Sequence, residues 1–110
     1  MPRIDLDIIA VIPRLRVWAQ GHPNIRRVWL YGSRVKGTQR PDSDLDIAID
    51  IDNIGRNEID YAKVWGKELD NVVRRWPVHV EMYATPGVDE YVAESGHLIY
   101  IGFALETVSD

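Results

Sequence analysis

The sequence predicts an α/β (α+β) domain in which a small mixed β-sheet is covered on one face by helices. Leu45, Ile47, Ile49 and Ile51 alternate with Asp44, Asp46, Ala48, Asp50 and Asp52, the two-residue period of a strand with one aliphatic and one largely acidic face. Ile59, Ala62, Trp65, Leu69, Val72, Val73 and Trp76 recur at 3.6-residue spacing, the mark of a helix that buries one stripe. The chain has 110 residues, 45% hydrophobic and 27% charged, so residues 1–110 are expected to form one domain with one core.

The elements follow in order. Ile8, Val11, Ile12, Leu15 and Trp18 keep helical spacing from about residue 6 to 20, and Gly21 and Pro23 stop the run. Pro13 lies inside it and removes a backbone donor, so a kink or two short helices meeting at Ile12 is expected. Ile25 to Tyr31 is β-branched and aromatic and ends at Gly32, as a strand does. A polar loop follows, then the alternating strand from Leu45 and the long helix from about Asn57 to Trp76, terminated by Pro77. Val78, Val80 and Met82 alternate with His79, Glu81 and Tyr83 as a third strand. A short helix at about Asp89 to Glu94 and a last strand at Leu98 to Phe103 complete the order. The long crossover helix makes the second and third strands parallel if they are neighbours, whereas the first two are free to pair antiparallel.

Composition removes several function classes. The chain has no cysteine, so disulfides, thiolate metal sites and cysteine nucleophiles are excluded. Thirteen Lys and Arg against seventeen Asp and Glu give a net charge of -4, the wrong sign for wrapping long nucleic acid. The opening residues MPRIDLD alternate charge with aliphatics and no long apolar run occurs, so a cytoplasmic protein without a membrane partner is expected.

Chemistry concentrates in YGSRVKGTQRPDSDLDIAI. Gly32-Ser33 ends one strand, Asp44-Leu45-Asp46 begins the next, and residues 34–43 lie between. If those strands are antiparallel neighbours, the bend and the carboxylates meet at one sheet edge. Asp44 and Asp46 then project from one face, about 7 Å apart along the strand, positioned to share divalent cations. Glycine admits a phosphate close to backbone N–H groups, the Ser33 hydroxyl adds a donor, and Arg34, Lys36 and Arg40 supply positive charge.

These residues resemble the DNA polymerase β type nucleotidyltransferase superfamily, whose signature is Gly-Ser, about ten residues, then Asp-x-Asp among hydrophobics. The short chain, LYGSRVKG and PDSDLDIAI look like the minimal nucleotidyltransferases, many of them antitoxins paired with HEPN-domain toxins. The resemblance implies the nucleotidyltransferase fold, with Gly32 and Ser33 holding the nucleotide phosphates beside Arg34 and Lys36. It further implies that Asp44 and Asp46 are catalytic and ligate Mg2+, two ions in all. The family's third carboxylate sits on a later strand, where Glu81 is the available acid in VHVEMY. With Val78, Val80 and Met82 inward, Glu81 shares the face of Asp44 and Asp46. It stands where aspartate is usual, one methylene longer, and as third ligand and general base it would take the attacking hydroxyl's proton.

The implied activity is magnesium-dependent transfer of a nucleoside monophosphate, AMP from ATP, to a hydroxyl of a HEPN-type toxin. The alternative is a degenerate nucleotidyltransferase that neutralises its partner by occlusion. Other readings of the same residues fail. The glycine spacing of Gly32 to Gly37 fits a P-loop, but Thr38 stands where lysine is needed and Pro41 blocks the following helix. Asp42, Asp44 and Asp46 mimic half an EF-hand, but Ile47 takes the glycine position and Asn53 the glutamate position. His79 reads as a strand residue rather than a base, His22 and His97 as loop residues, and the four tryptophans as core rather than base-stacking surfaces. Asp50 and Asp52 read as a solvated strand end, and Arg26-Arg27 and Arg74-Arg75 as solvated faces.

Overall fold

The structure, a computed structural model, describes residues 6–37, 43–52 and 58–102. Element order is α1 (Leu6–Gln20), β1 (Ile25–Tyr31), α2 (Ser33–Lys36), β2 (Leu45–Ile51), α3 (Glu58–Val73), β3 (Val78–Met82), α4 (Val88–Ser95) and β4 (His97–Ile101). The strands form one mixed sheet in the order β3-β2-β1-β4. β1 pairs antiparallel with β2 and with β4, while β2 and β3 are parallel across the α3 crossover. This is the α+β arrangement that the periodicities imply.

The strand alternation sorts the two faces. Leu45, Ile47, Ile49 and Ile51 of β2 and Val28 and Leu30 of β1 join Ile8, Val11 and Leu15 of α1 and Trp65, Leu69 and Val73 of α3 in the main core. A fully buried aliphatic side chain contributes about 1.5–3 kcal/mol, so this two-helix layer dominates the apolar stabilisation. On the opposite face Trp29, Tyr31 and Ala48 pack against Val88 and Val92 of α4, a smaller cluster over one end of the sheet. The two remaining tryptophans also fall with the core, Trp76 buried and Trp18 partly buried beside it.

Of the two forms expected for α1, the structure has one helix with Pro13 inside it rather than two segments. Two details depart from the sequence reading. The polar stretch after Gly32 contains the single turn α2, whose C-cap Gly37 is left-handed at φ 80°. α3 ends at Val73, sooner than its hydrophobic repeat, because Arg74 turns left-handed at φ 63° and Trp76-Pro77 follows. Arg40 and Phe103 lie outside the described residues.

Polar contacts tie the layers together. The Trp18 indole N–H donates to Glu68 Oε1 at 2.8 Å, and His22, at the end of α1, reaches the same oxygen at 3.1 Å. The backbone N–H of Val78, at the start of the edge strand β3, donates to Asp70 Oδ1 at 3.0 Å. Arg16 caps the carbonyl of Ile99 in β4, the other edge strand, at 2.7 Å. Both edges thus have a backbone group satisfied by a helix side chain. Arg27 is less free than a solvated arginine, holding Asp50 Oδ2 at 2.7 Å with its guanidinium 4.9 Å from the Trp29 ring centre.

Candidate functional site

Pairing decides where the acids lie. Tyr31 is opposite Asp46 across β1 and β2, and Asp46 and Ala48 are opposite His79 and Glu81 across β2 and β3. Side chains alternate along each strand, so Tyr31, Asp46, His79 and Glu81 share the face away from the two-helix layer. The end of β1 therefore places Gly32 directly beside the start of β2.

Gly32 has no substitute there. Its φ of 85° with ψ of -163° is a backbone region essentially confined to glycine. A Cβ built on it would collide with Asp46 Oδ2, with Asp46 Cγ at 3.0 Å and Cβ at 3.3 Å. The missing side chain is what brings the bend against the carboxylate. The Gly32 carbonyl accepts the Lys36 N–H at 3.1 Å, closing α2, and the Gly32 N–H donates to Ser95 Oγ at 3.0 Å, fastening the bend to α4.

The resulting cavity, about 450 Å³, is lined by Gly32, Lys36, Asp46 and Glu81, together with Tyr31, His79 and residues of the β3–α4 turn and α4. A wider groove of about 630 Å³ between α1 and α3 has no carboxylate in its lining and offers no comparable chemistry. Ser33 opens α2 next to the cavity, and Asp44 is exposed immediately before β2; neither belongs to the lining. Arg34 is placed elsewhere. It is 3% exposed, donates from Nε to the Ser43 carbonyl at 2.8 Å, and lies 4.3 Å over the Trp76 ring. Facing inward from α2, it braces the segment that carries Asp44 instead of reaching the cavity. Lys36 does reach it, with Nζ 3.7 Å from Glu94 Oε2.

The electrostatics are those of crowded acids. Asp46 is held above its ordinary carboxylate value chiefly by burial, with Asp44 and Glu81 adding like-charge repulsion and His79 opposing them. The Tyr31 phenol is pushed upward by burial first, then by Asp46 and Glu81. Glu81 Oε2 meets His79 Nε2 at 2.6 Å. Among the described residues no three His, Asp or Glu side chains form a closed metal cage. Magnesium seldom needs one: it takes one or two carboxylates and completes its shell with water and substrate phosphate. Asp46 and Glu81, both in the cavity lining, are hard oxygen donors of the kind such an ion takes.

Sequence reasoning missed Tyr91, Glu94 and Ser95, which α4 brings to the cavity; His79, read as a strand residue rather than a base, also lines it. No local pattern marks the α4 residues, because their role depends on where that helix docks. His79 was legible by parity with Glu81. Among the described residues, no helix is long and apolar enough to cross a membrane.

Known proteins agree with this architecture. The family model for polymerase beta nucleotidyltransferases matches residues 14–101. A toxin–antitoxin complex solved with AMP-PNP is 21% identical, with a TM-score of 0.62 over 86% of this chain and 70% of that one. A mutant toxin–antitoxin complex, MntA–HpeT, is 17% identical, with a TM-score of 0.66 over 82% of this chain and 72% of that one. At these identities the likeness is one of fold; no curated protein sequence matches the chain. With the match running from α1 through β4 and including both the Gly32 bend and the Asp-x-Asp strand, the chain belongs to the polymerase beta nucleotidyltransferase family.

Proposed function

We propose that the protein is a magnesium-dependent nucleotidyltransferase that transfers AMP from ATP to a hydroxyl of a partner protein, and that the partner is a HEPN-type toxin. The observation that carries this reading is the seating of Gly32 against Asp46 inside a cavity that also receives Glu81 and Lys36. Family membership supports nucleotidyl transfer, and the toxin–antitoxin neighbours support a toxin as acceptor.

Each residue then has a task. The backbone at Gly32-Ser33 admits the triphosphate closely, and the Lys36 ammonium neutralises its charge. Asp44, Asp46 and Glu81 would hold magnesium, which when bound supplies electrostatic stabilisation of the departing pyrophosphate. The acceptor oxygen bonds to the α-phosphorus as the bond from that phosphorus to the bridging oxygen breaks and pyrophosphate leaves. Glu81 accepts the hydroxyl proton, and His79, hydrogen-bonded to it at 2.6 Å, fixes the carboxylate's orientation.

The test is incubation with labelled ATP, magnesium and the toxin encoded beside this chain. Label should pass to the toxin from the wild type and not from the Asp44→Ala/Asp46→Ala double variant. Failure of transfer with an active control enzyme refutes the proposal. The second reading, occlusion without catalysis, draws on Glu81 standing where aspartate is usual. Undiminished neutralisation of the toxin by the double variant would favour it.

A further inference from the structure

The cavity has a chemically mixed lining. Lys36, Asp46, Glu81 and Glu94 bring charge beside the Gly32 bend, whereas Pro86, Gly87 and Val88 of the β3–α4 turn and Tyr91 of α4 add an uncharged, partly aromatic surface. Its volume of about 450 Å³ falls in the range of pockets that enclose a whole small ligand. We propose that the Tyr91 ring is the seat of the nucleobase, and that the cavity selects purine nucleoside triphosphates by stacking area. The inference rests on the nucleotidyltransferase reading and adds the class of nucleotide to it.

Three observations carry it. Tyr91 is 61% exposed although Val88 and Val92 on the same helix are buried, so its ring lies along the cavity rather than in the packing beneath α4. The other aromatic side chains on this sheet face are engaged. Trp29 stacks on Tyr83 with ring centres 4.5 Å apart, and Tyr31 is buried; among the described residues no ring stacks on Tyr91. Finally, Ser95 Oγ donates to the Tyr91 carbonyl at 3.3 Å and accepts the Gly32 N–H at 3.0 Å. That relay ties the helical turn bearing Tyr91 to the Gly32 bend, so the ring and the bend line the same cavity.

Stacking uses the π-face that every base has, so it favours the larger bicyclic rings without reading a hydrogen-bonding edge. ATP and GTP should therefore bind with similar strength and more tightly than CTP and UTP.

The experiment compares magnesium-ATP with magnesium-tripolyphosphate, which has the phosphates but no base, by titration calorimetry on the wild type, Tyr91→Ala and Tyr91→Phe. In Tyr91→Ala, ATP affinity should fall about 5- to 100-fold, the effect of losing one stacked base, while tripolyphosphate affinity stays put. Tyr91→Phe should retain ATP affinity. Unchanged ATP binding in Tyr91→Ala overturns the proposal, as does an equal loss of both ligands, which would mark a structural role. Pyrimidine triphosphates matching purines on the wild type would overturn the selectivity. If the wild type binds neither ATP nor tripolyphosphate, the nucleotidyltransferase reading falls, and this inference with it.

Discussion

Replacing Gly32 with alanine tests the central contact of the site in two separable ways. The first cost is backbone strain: φ 85° with ψ -163° is sparsely populated for any residue with a Cβ, at about 1–3 kcal/mol. The second is steric, since the new methyl group would land on Asp46 Oδ2, with Cγ and Cβ of the same side chain only 3.0 and 3.3 Å away. A short aspartate relieves this only by leaving its rotamer, which costs about 0.5–1.5 kcal/mol. Together the terms amount to about 2–4 kcal/mol, or roughly 8–25 °C in melting temperature for a domain of this size. Urea or thermal unfolding of the wild type, Gly32→Ala, Asp46→Ala and the double variant closes a cycle. The alanine at 32 should cost less in the Asp46→Ala background, by the size of the steric term. An equal cost in both backgrounds would show that the carboxylate does not abut Gly32. A Gly32→Ala variant within about 0.5 kcal/mol of wild type would refute the backbone conformation itself.

The remaining predictions concern charge. Asp46→Asn should raise the melting temperature at neutral pH while abolishing nucleotidyl transfer. Because the folded-state carboxyl titrates above its ordinary value of 3.8, its favourable contribution is present at pH below that value and is lost as pH rises through the folded-state pKa. The stability gap between variant and wild type should therefore open across that window; a pH-independent gap would contradict it. Arg34→Ala should cost about 2–4 kcal/mol by removing a buried guanidinium bond to the Ser43 carbonyl and the contact over Trp76, and lysine should not rescue it. A stability change near zero in urea melts would place Arg34 outside the core. Glu94→Gln should tighten triphosphate binding about 2- to 5-fold by releasing Lys36 from a partner 3.7 Å away, the scale of an exposed ion pair. Unchanged or weaker binding by titration calorimetry would count against Lys36 as a phosphate group.

What the amino-acid sequence determined alone is what repeats locally. Strand alternation at Leu45–Ile51 set both the buried face and the side from which Asp46 projects. The 3.6-residue repeat before Pro77 set α3, and with it the parallel pairing that aligns His79 and Glu81 with Asp46 and Ala48. Parity therefore sufficed to bring Glu81 to the acids. Tertiary structure decided the rest. Arg34 and Lys36 look alike in a polar loop, and only the single turn of α2 turns one under Trp76 and the other into the cavity. Tyr91, Glu94 and Ser95 carry no motif, since a helix face acquires chemistry only from what it docks against. A strand's side chains are assigned to faces by the period of its own backbone, whereas the orientation of a short turn and the seat of a helix follow from packing between residues far apart in the chain.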